Sequence, residues 1–230
     1  MRAIYLKEVL LQETYHIDGK PHHHLATVVR LRQGEQLLLL DGKGRSVLTE
    51  VEKISKKNTQ LRFVEDRTAV RSYVFDCAIG VPKRDALELC LKQATELGLR
   101  RVYLIRSEFS QNRVPDSERL ENLLVAALEQ SNAVFLPEIF ECSWETVPWN
   151  EYRSVLMLDS QSEDQRSVGN RAGEAPGLLI IGPEGGFSES EITFLHSVDR
   201  LTVVKLPTPI LRTPTALSVG AGILLHSLLD

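Results

Sequence analysis

The chain has 230 residues, enough for one large domain or two smaller ones, and 43% of them are hydrophobic, which permits a packed core. No apolar run reaches the roughly 18 residues that a membrane helix needs, and the start of the chain lacks the apolar stretch of a signal peptide. The three cysteines are odd in number and widely spaced, so reduced core thiols are expected rather than a disulfide framework. These features predict a cytoplasmic protein with no membrane partner.

The charge is unevenly distributed along the chain, whose formal net charge is −4. Residues 1–72 carry more basic than acidic side chains and four of the six histidines, whereas the remainder carries the acidic surplus. A positive front half favours docking of a polyanion there, although a difference of this size can also arise by chance.

Residues 1–70 have the pattern of a small β-barrel-like module. Two apolar runs within residues 36–54 flank the turn Asp41-Gly42-Lys43-Gly44, whose glycines permit positive φ, so a β-hairpin is predicted. A third strand is predicted over residues 59–66, and a short helix over residues 21–30.

After about residue 72 the pattern changes to alternating strands and helices. This alternation, with apolar runs as strands, predicts a parallel sheet covered on both faces, whose ligands bind beyond the carboxyl ends of the strands. The most loop-like segment is 161–177. Strands are predicted over residues 73–80, 101–107, 154–160, 178–182 and 201–206, and helices over residues 83–97 and 116–131.

The glycine-rich turn after the apolar strand 178–182 is the strongest signal for a binding site. Pro183-Glu184-Gly185-Gly186 leads into a helix whose start is fixed by Ser188 and Glu191, the spacing of a capping box. Paired glycines let the main chain approach a ligand closely, and amides beside a helix start suit an anionic or acceptor-rich group. A plain strand–helix connection is the alternative interpretation.

A second candidate loop covers residues 206–212 and precedes an apolar final helix. Thr213 is predicted to cap this helix and Pro214 to occupy its first position. A cation near a helix start is not favoured by the helix dipole, so Arg212 suggests a binding role, with an ordinary surface arginine as the alternative.

Other site classes lack their sequence patterns. The sequence contains no dinucleotide-binding glycine fingerprint, no phosphate-binding P-loop and no nucleophile elbow, which argues against a nicotinamide-dependent oxidoreductase. The adjacent histidines 22-HHH-24 do not share one face of a helix or strand, so no metal site is predicted.

Several segments taken together resemble the RsmE family of 16S ribosomal RNA uridine-N3 methyltransferases, members of the SPOUT superfamily. The matching segments occur in the family's order and spacing over the whole length. They are 22-HHHLATVVRLRQGEQLLLLDGKG-44, 92-KQATELGLRRVYLI-105, 129-EQSNAVFLPEI-139, 180-IIGPEGGFSESE-191 and 210-ILRTPTA-216.

The resemblance implies an α/β protein with two domains. Residues 1–70 would form a PUA-like β-barrel that helps to hold RNA, and residues 73–230 a SPOUT methyltransferase domain with a deep trefoil knot that binds S-adenosyl-L-methionine. It further implies a homodimer that acts on 16S ribosomal RNA or the small ribosomal subunit.

The resemblance also assigns residues to roles. Arg212 would be catalytic. Glu184, the nearest carboxylate by sequence, is the second catalytic candidate, with a structural role at the helix start as the alternative. Arg30, Arg32 and Arg45 would bind RNA together with Arg212. The cofactor would contact Leu158, Gly182, Pro183, Glu184, Gly185, Gly186, Leu206, Ile210 and Leu211, with Asp159 and Ser160 beside them.

This sequence departs from the family pattern at several positions. Pro207, Pro209 and Pro214 replace a glycine, a basic residue and a glutamate of the last motif, and Phe109 stands where an arginine is usual. Asn132-Ala133 replaces a Gly-Arg pair. Two alternatives therefore stay open: a SPOUT methyltransferase for another RNA position, and a non-catalytic RNA-binding protein with a degenerate cofactor pocket.

Overall fold

The structure, a computed structural model, describes residues 1–72, 74–110, 114–160 and 176–227. The predicted loop 161–177 therefore lies, except for its last two residues, outside the described residues. The chain divides into two compact units, one formed by Met1–Arg71 and Val125–Leu136, the other by Ser72–Leu124 and Pro137–Asp230.

The first unit contains five strands and a short helix, which are β1 (Ala3–Tyr5), β2 (Thr14–Asp18), α1 (Gly19–His23), β3 (Gln36–Leu40), β4 (Ser46–Ile54) and β5 (Asn58–Asp66). The strands form one sheet in the order β1-β3-β4-β5-β2, in which only β1 and β3 are parallel. The predicted hairpin, third strand and short helix are confirmed, but β1 and β2 were not predicted. The helix begins two residues earlier than predicted and continues as a π-helix over His24–Val28.

The unbroken apolar run of β3 is explained by burial on both faces of the sheet. Leu37 and Leu39 face one hydrophobic cluster, whereas Leu38 and Leu40 face another. This second cluster includes Leu128 and several side chains of residues 133–136, which is why the segment 125–136 belongs to the first unit.

The remaining elements are β6 (Phe75–Gly80), α2 (Arg84–Glu96), β7 (Arg101–Ile105), α3 (Ser117–Ser131), β8 (Glu138–Cys142), β9 (Ser154–Leu158), β10 (Gly177–Ile181), α4 (Glu189–His196), β11 (Leu201–Val204) and α5 (Thr213–Ser227). The six strands belong to the second unit and form a fully parallel sheet in the order β11-β9-β10-β6-β7-β8. The second half of α3, from Val125, belongs to the first unit. All five predicted strands and the predicted helices 83–97 and 116–131 are confirmed, whereas the edge strand β8 was not predicted. Among the described residues no helix is long and apolar enough to cross a membrane.

The parallel sheet is covered on both faces, as its apolar strands require. On one face Leu178 and Ile180 of β10 pack into a cluster with Leu195 of α4 and Trp144. On the other face α5 lies against β9 and β10, and α2 packs on α5. Gly220 makes this close packing possible, because a Cβ there would lie 2.6 Å from the side chain of Leu179.

A buried ionic network supports the amino-terminal ends of the strands, opposite the candidate loops. Asp76 is fully buried in β6 and accepts hydrogen bonds from the guanidinium of Arg100 (2.6 and 3.1 Å) and the hydroxyl of Tyr152 (2.7 Å). The amide of Arg101 donates a further bond of 3.0 Å. Burial, together with the negative charge of Asp76, raises the pKa of Tyr152 and keeps its hydroxyl a donor.

Candidate functional site

A cavity of about 570 Å³ opens at the carboxyl ends of β9, β10 and β11, where a parallel sheet is expected to bind its ligands. This volume lies within the range of about 300–1,000 Å³ that is usual for small-molecule sites. The cavity is lined by residues 158–160 after β9, by the glycine-rich turn after β10, by residues 204–206 and 208–212 after β11, and by the start of α5.

The two glycines of the turn are required for different reasons. Gly186 donates its N–H to the carbonyl of Pro183 at 2.9 Å and has a φ of +74°, a conformation that glycine adopts without strain. Gly185 has no such φ, but a Cβ there would lie 2.8 Å from the Cβ of Phe109. Gly185 is therefore the residue that lets Phe109 lie against the turn.

The carboxylate of Glu184 ties this turn to the start of α2. Both of its oxygens accept the backbone N–H of Lys83, at 3.1 and 3.2 Å. Lys83 is the residue that precedes α2, so the carboxylate lies where a helix dipole favours negative charge. The side chain remains exposed to solvent.

The start of α4 confirms the predicted capping box. The hydroxyl of Ser188 accepts the amide of Glu191 at 3.3 Å, and Glu191 Oε2 accepts the amide of Ser188 at 2.9 Å. Glu191 Oε1 also accepts the indole N–H of Trp144 (2.8 Å) and the amide of Glu108 (3.3 Å). The nearly buried carboxylate thus connects the end of the glycine-rich turn with two other loops.

Burial raises the pKa of Glu191, but the hydrogen bonds donated by Ser188, Trp144 and Glu108 outweigh that effect and hold the pKa below its ordinary value. The carboxylate is therefore ionised at neutral pH. Its charge is stabilised by these donors and by the start of the helix.

The start of α5 differs from the prediction. The helix begins at Thr213 itself, so Pro214 is its second residue, and the threonine hydroxyl donates to the carbonyl of Gly182 at 3.3 Å. This bond joins the last loop to the glycine-rich turn. Arg212 is exposed and lines the cavity, and within the described part of the chain no ion pair or hydrogen bond engages its guanidinium.

The structure brings together around this cavity all the residues predicted to bind the cofactor, and both predicted catalytic residues. The predicted RNA-binding residues Arg30, Arg32 and Arg45 belong to the first unit. Arg45 is already engaged, since its guanidinium lies 3.7 Å from the carboxylate of Asp66 and donates to Thr68 at 3.3 Å. Arg30 and Arg32 are exposed, and no ion pair engages either one among the described residues.

The cavity also has lining residues that were not predicted. They include Ile181, Phe187, Lys205 and Thr208. Lys205 follows β11 directly, so its position after a strand could have indicated it. Phe187 could not be indicated in this way, because its ring packs against Trp144 from a distant segment, with ring centroids 5.8 Å apart.

The histidines at 22–24 have no metal-site geometry. His22 is buried, and its Nδ1 lies 2.9 Å from the hydroxyl of Thr59. Among residues that the structure describes, no group of three or more His, Cys, Asp or Glu side chains is arranged to hold a metal ion.

Two family models match the chain. The model for an RNA methyltransferase domain matches residues 71–225, and the model for an RNA methyltransferase PUA domain matches residues 17–64. The first match alone covers more than half of the chain. It includes the parallel sheet and every residue that lines the cavity.

Individual relatives agree with these matches. The ribosomal RNA small subunit methyltransferase E of Mycobacterium bovis is 30% identical over 90% of this chain and 84% of its own length, and that of Rickettsia conorii is 27% identical over 84% and 82%. The crystal structure of the Neisseria gonorrhoeae ribosomal RNA small subunit methyltransferase E, bound to S-adenosyl methionine, is 22% identical over 98% of each chain, with a TM-score of 0.82. The fold is thus shared, and the chain belongs to the RNA methyltransferase family as a member of the ribosomal RNA small subunit methyltransferase E group.

Proposed function

We propose that this protein transfers the methyl group of S-adenosyl-L-methionine to N3 of a uridine in 16S ribosomal RNA. The observation that carries the proposal is the cavity of about 570 Å³, around which all nine predicted cofactor residues lie. Family membership supports the reaction class, and the names of the relatives support the small-subunit RNA as substrate.

The cavity suits a nucleoside that carries a charged amino-acid tail. Leu158, Ile181 and Leu211 provide apolar surface for an adenine ring. The main chain of residues 182–186 provides amides and carbonyls that can read the edge of the base and the ribose. Lys205 provides a cation for a carboxylate within the same cavity.

The cofactor would supply an already electrophilic methyl carbon, so the chain need only bind, orient and stabilise the acceptor. Uridine N3 would give its proton to solvent water and bond to the methyl carbon as the bond from that carbon to sulfur breaks, which leaves S-adenosylhomocysteine. Negative charge would develop on the two neighbouring carbonyl oxygens as the proton leaves. Arg212, exposed at the cavity, can donate hydrogen bonds to one of these oxygens. Glu184 is already bonded through both oxygens to Lys83, which favours a part in holding the turn over proton transfer.

The first unit would contribute RNA binding, as its match to a PUA model suggests. The surplus of basic residues there favours the phosphate backbone. Arg30 and Arg32 are the better candidates for phosphate contacts, because Arg45 is ion-paired with Asp66. Residues 1–70 would bind RNA and residues 73–230 would carry out methyl transfer, although Val125–Leu136 belongs to the first compact unit.

Three further features of the proposal come from family resemblance. They are a deep trefoil knot around the cofactor loops, a homodimer and a cytoplasmic location, where ribosomal RNA is available. The sheet order is compatible with a knot, since β10 lies between β6 and β9 although it follows both of them in the chain.

Calorimetric titration of S-adenosyl-L-methionine into the purified protein tests the proposal. We expect saturable binding that Gly185→Leu abolishes, because the larger side chain would collide with Phe109 and displace the turn. Binding of RNA without any binding of the cofactor would instead identify a non-catalytic RNA-binding protein. Methylation at another nucleotide would identify a different RNA specificity on the same fold.

A further inference from the structure

Phe109 is an exposed aromatic residue in the loop after β7, next to the candidate site but not part of the cavity lining. The residue is 45% exposed. The root of the side chain lies against Gly185, since a Cβ built on that glycine would be 2.8 Å from Phe109 Cβ and 3.4 Å from Cγ. Gly185 itself lines the cavity, so the side chain of Phe109 lies against a residue of the cavity lining.

The loop that carries Phe109 is held by a set of hydrogen bonds. The amide of Ser110 donates to the carbonyl of Ser107 at 3.0 Å, and the amide of Ser107 donates to the hydroxyl of Ser110 at 3.2 Å. The amide of Glu108 donates to the carboxylate of Glu191 at 3.3 Å. Phe109 is therefore presented from a fixed main chain rather than from a free loop.

We propose that the ring of Phe109 stacks on the uracil base that is presented to the cavity. This inference rests on the proposed function and concerns the position of its second substrate. Transfer in line with the methyl–sulfur bond requires the acceptor nitrogen at a defined distance and the base in a defined plane. A ring stacked on the face of the base fixes that plane and leaves the N3 edge free for the reaction.

The chemistry of the side chain favours a base over other occupants. Phenylalanine offers no hydrogen bond and no charge, so it cannot hold a phosphate or read a base edge. Every pyrimidine has a π face, and base–aromatic stacking commonly contributes about 5- to 150-fold in affinity. An exposed ring beside a cavity that accepts a nucleic-acid substrate is therefore well placed for stacking.

Phe140 provides a matched control in the same unit. It is 41% exposed, close to the exposure of Phe109, but it lies on the edge strand β8 and packs against Tyr103, with ring centroids 5.6 Å apart. Exchanging either ring for leucine removes a half-exposed aromatic group and keeps an apolar side chain. Only the exchange at Phe109 removes a ring next to the glycine-rich turn.

Steady-state methylation of 16S ribosomal RNA in small-subunit particles tests the inference with Phe109→Leu, Phe109→Trp and Phe140→Leu. For Phe109→Leu we expect kcat/KM for RNA to fall at least about fivefold, with cofactor affinity from calorimetry unchanged within about twofold. Phe109→Trp, which keeps an aromatic face, should recover most of the activity that Phe109→Leu loses, and Phe140→Leu should remain close to wild type. Wild-type kinetics in Phe109→Leu would overturn the inference. So would a loss of cofactor affinity as large as the loss in kcat/KM, because it would indicate that Phe109 acts only by packing against Gly185.

A fluorescence titration gives a second test that does not depend on activity. In Phe109→Trp the new indole should be quenched by an oligouridylate, and less so by a ribose-phosphate oligomer of equal length without bases. The signal of Trp144 and Trp149 in the wild type is subtracted. Equal quenching by both oligomers would contradict stacking even if the wild type proved inactive. If the wild type binds no cofactor while Phe109→Trp shows base-dependent quenching, the proposed function alone is contradicted.

Discussion

Replacement of Glu191 by glutamine should destabilise the second unit, although the two side chains have nearly the same shape. Glu191 is only 9% exposed, and its carboxylate accepts three hydrogen bonds, from Ser188, Trp144 and Glu108. Glutamine keeps one acceptor oxygen, which can retain the indole and one amide. Its NH2 group would then face the N–H of Ser188, so that two donors oppose each other.

The expected cost follows from the contacts that are lost. A hydrogen bond to a charged group contributes roughly 1.5–3 kcal/mol, and the glutamine variant loses one such bond and weakens the other two by removing the charge. We therefore expect the free energy of unfolding to fall by about 2–3 kcal/mol near neutral pH. Glu189→Gln is the matched control, because Glu189 lies in the first turn of the same helix but is exposed. It should cost no more than about 1 kcal/mol through the helix dipole.

Urea denaturation at several pH values tests this prediction. Folding lowers the pKa of Glu191 below the ordinary glutamate value of about 4.3. The ionised carboxylate therefore contributes its full stabilisation above that ordinary pKa, and the stabilisation is lost as the pH falls through the lower pKa of the folded state. The difference between wild type and Glu191→Gln should therefore shrink under acidic conditions. Equal stability of the two proteins at neutral pH would refute the proposed network. So would a difference that is independent of pH.

Three other substitutions have expected outcomes of different kinds. Asp76→Asn should lower the free energy of unfolding by about 3–5 kcal/mol in denaturant titrations. The reason is that the guanidinium of Arg100 loses its buried, negatively charged partner. A loss below about 1 kcal/mol would contradict this prediction. Gly186→Ala should weaken cofactor binding in calorimetry, because alanine disfavours the positive φ of this position by about 1–2 kcal/mol. Steric overlap adds nothing, since a Cβ there meets no atom within 4 Å. An unaltered affinity would show that the turn need not keep this conformation. Arg212→Ala should reduce kcat for methyl transfer by about 10²- to 10³-fold without affecting cofactor affinity, and unchanged transfer would remove this residue from the mechanism.

Most of the parallel sheet could be predicted from sequence because its strands are continuous apolar runs that alternate with helices. The edge strand β8 was missed for the corresponding reason. Its residues Glu138–Cys142 are exposed or only half-buried, so the segment has no apolar run. Strand β1 has only three residues, and β2 buries only two of its five side chains, so neither forms an apolar run. Nothing in the sequence of α3 (Ser117–Ser131) indicates that its second half, from Val125, belongs to the first unit.

The candidate site was predictable where local chemistry decides the structure. The capping box of Ser188 and Glu191 depends on residues three positions apart and is present as predicted. The bonds of Glu191 to Trp144 and Glu108 depend on the tertiary fold, and so does the contact between Gly185 and Phe109. From the sequence, Gly185 was predicted to let the main chain approach a ligand closely. The structure shows that it also admits a neighbouring aromatic ring.

The most direct test of the central claim is mass spectrometry of nucleosides from small-subunit particles that lack the modification. The particles are incubated with the purified protein and S-adenosyl-L-methionine that carries a deuterated methyl group. We expect deuterated 3-methyluridine to appear at one position of the 16S RNA, and to form about 10²- to 10³-fold more slowly when Arg212→Ala replaces the wild type. A wild-type protein that binds cofactor and particles yet leaves every uridine unlabelled at N3 would contradict the proposed reaction.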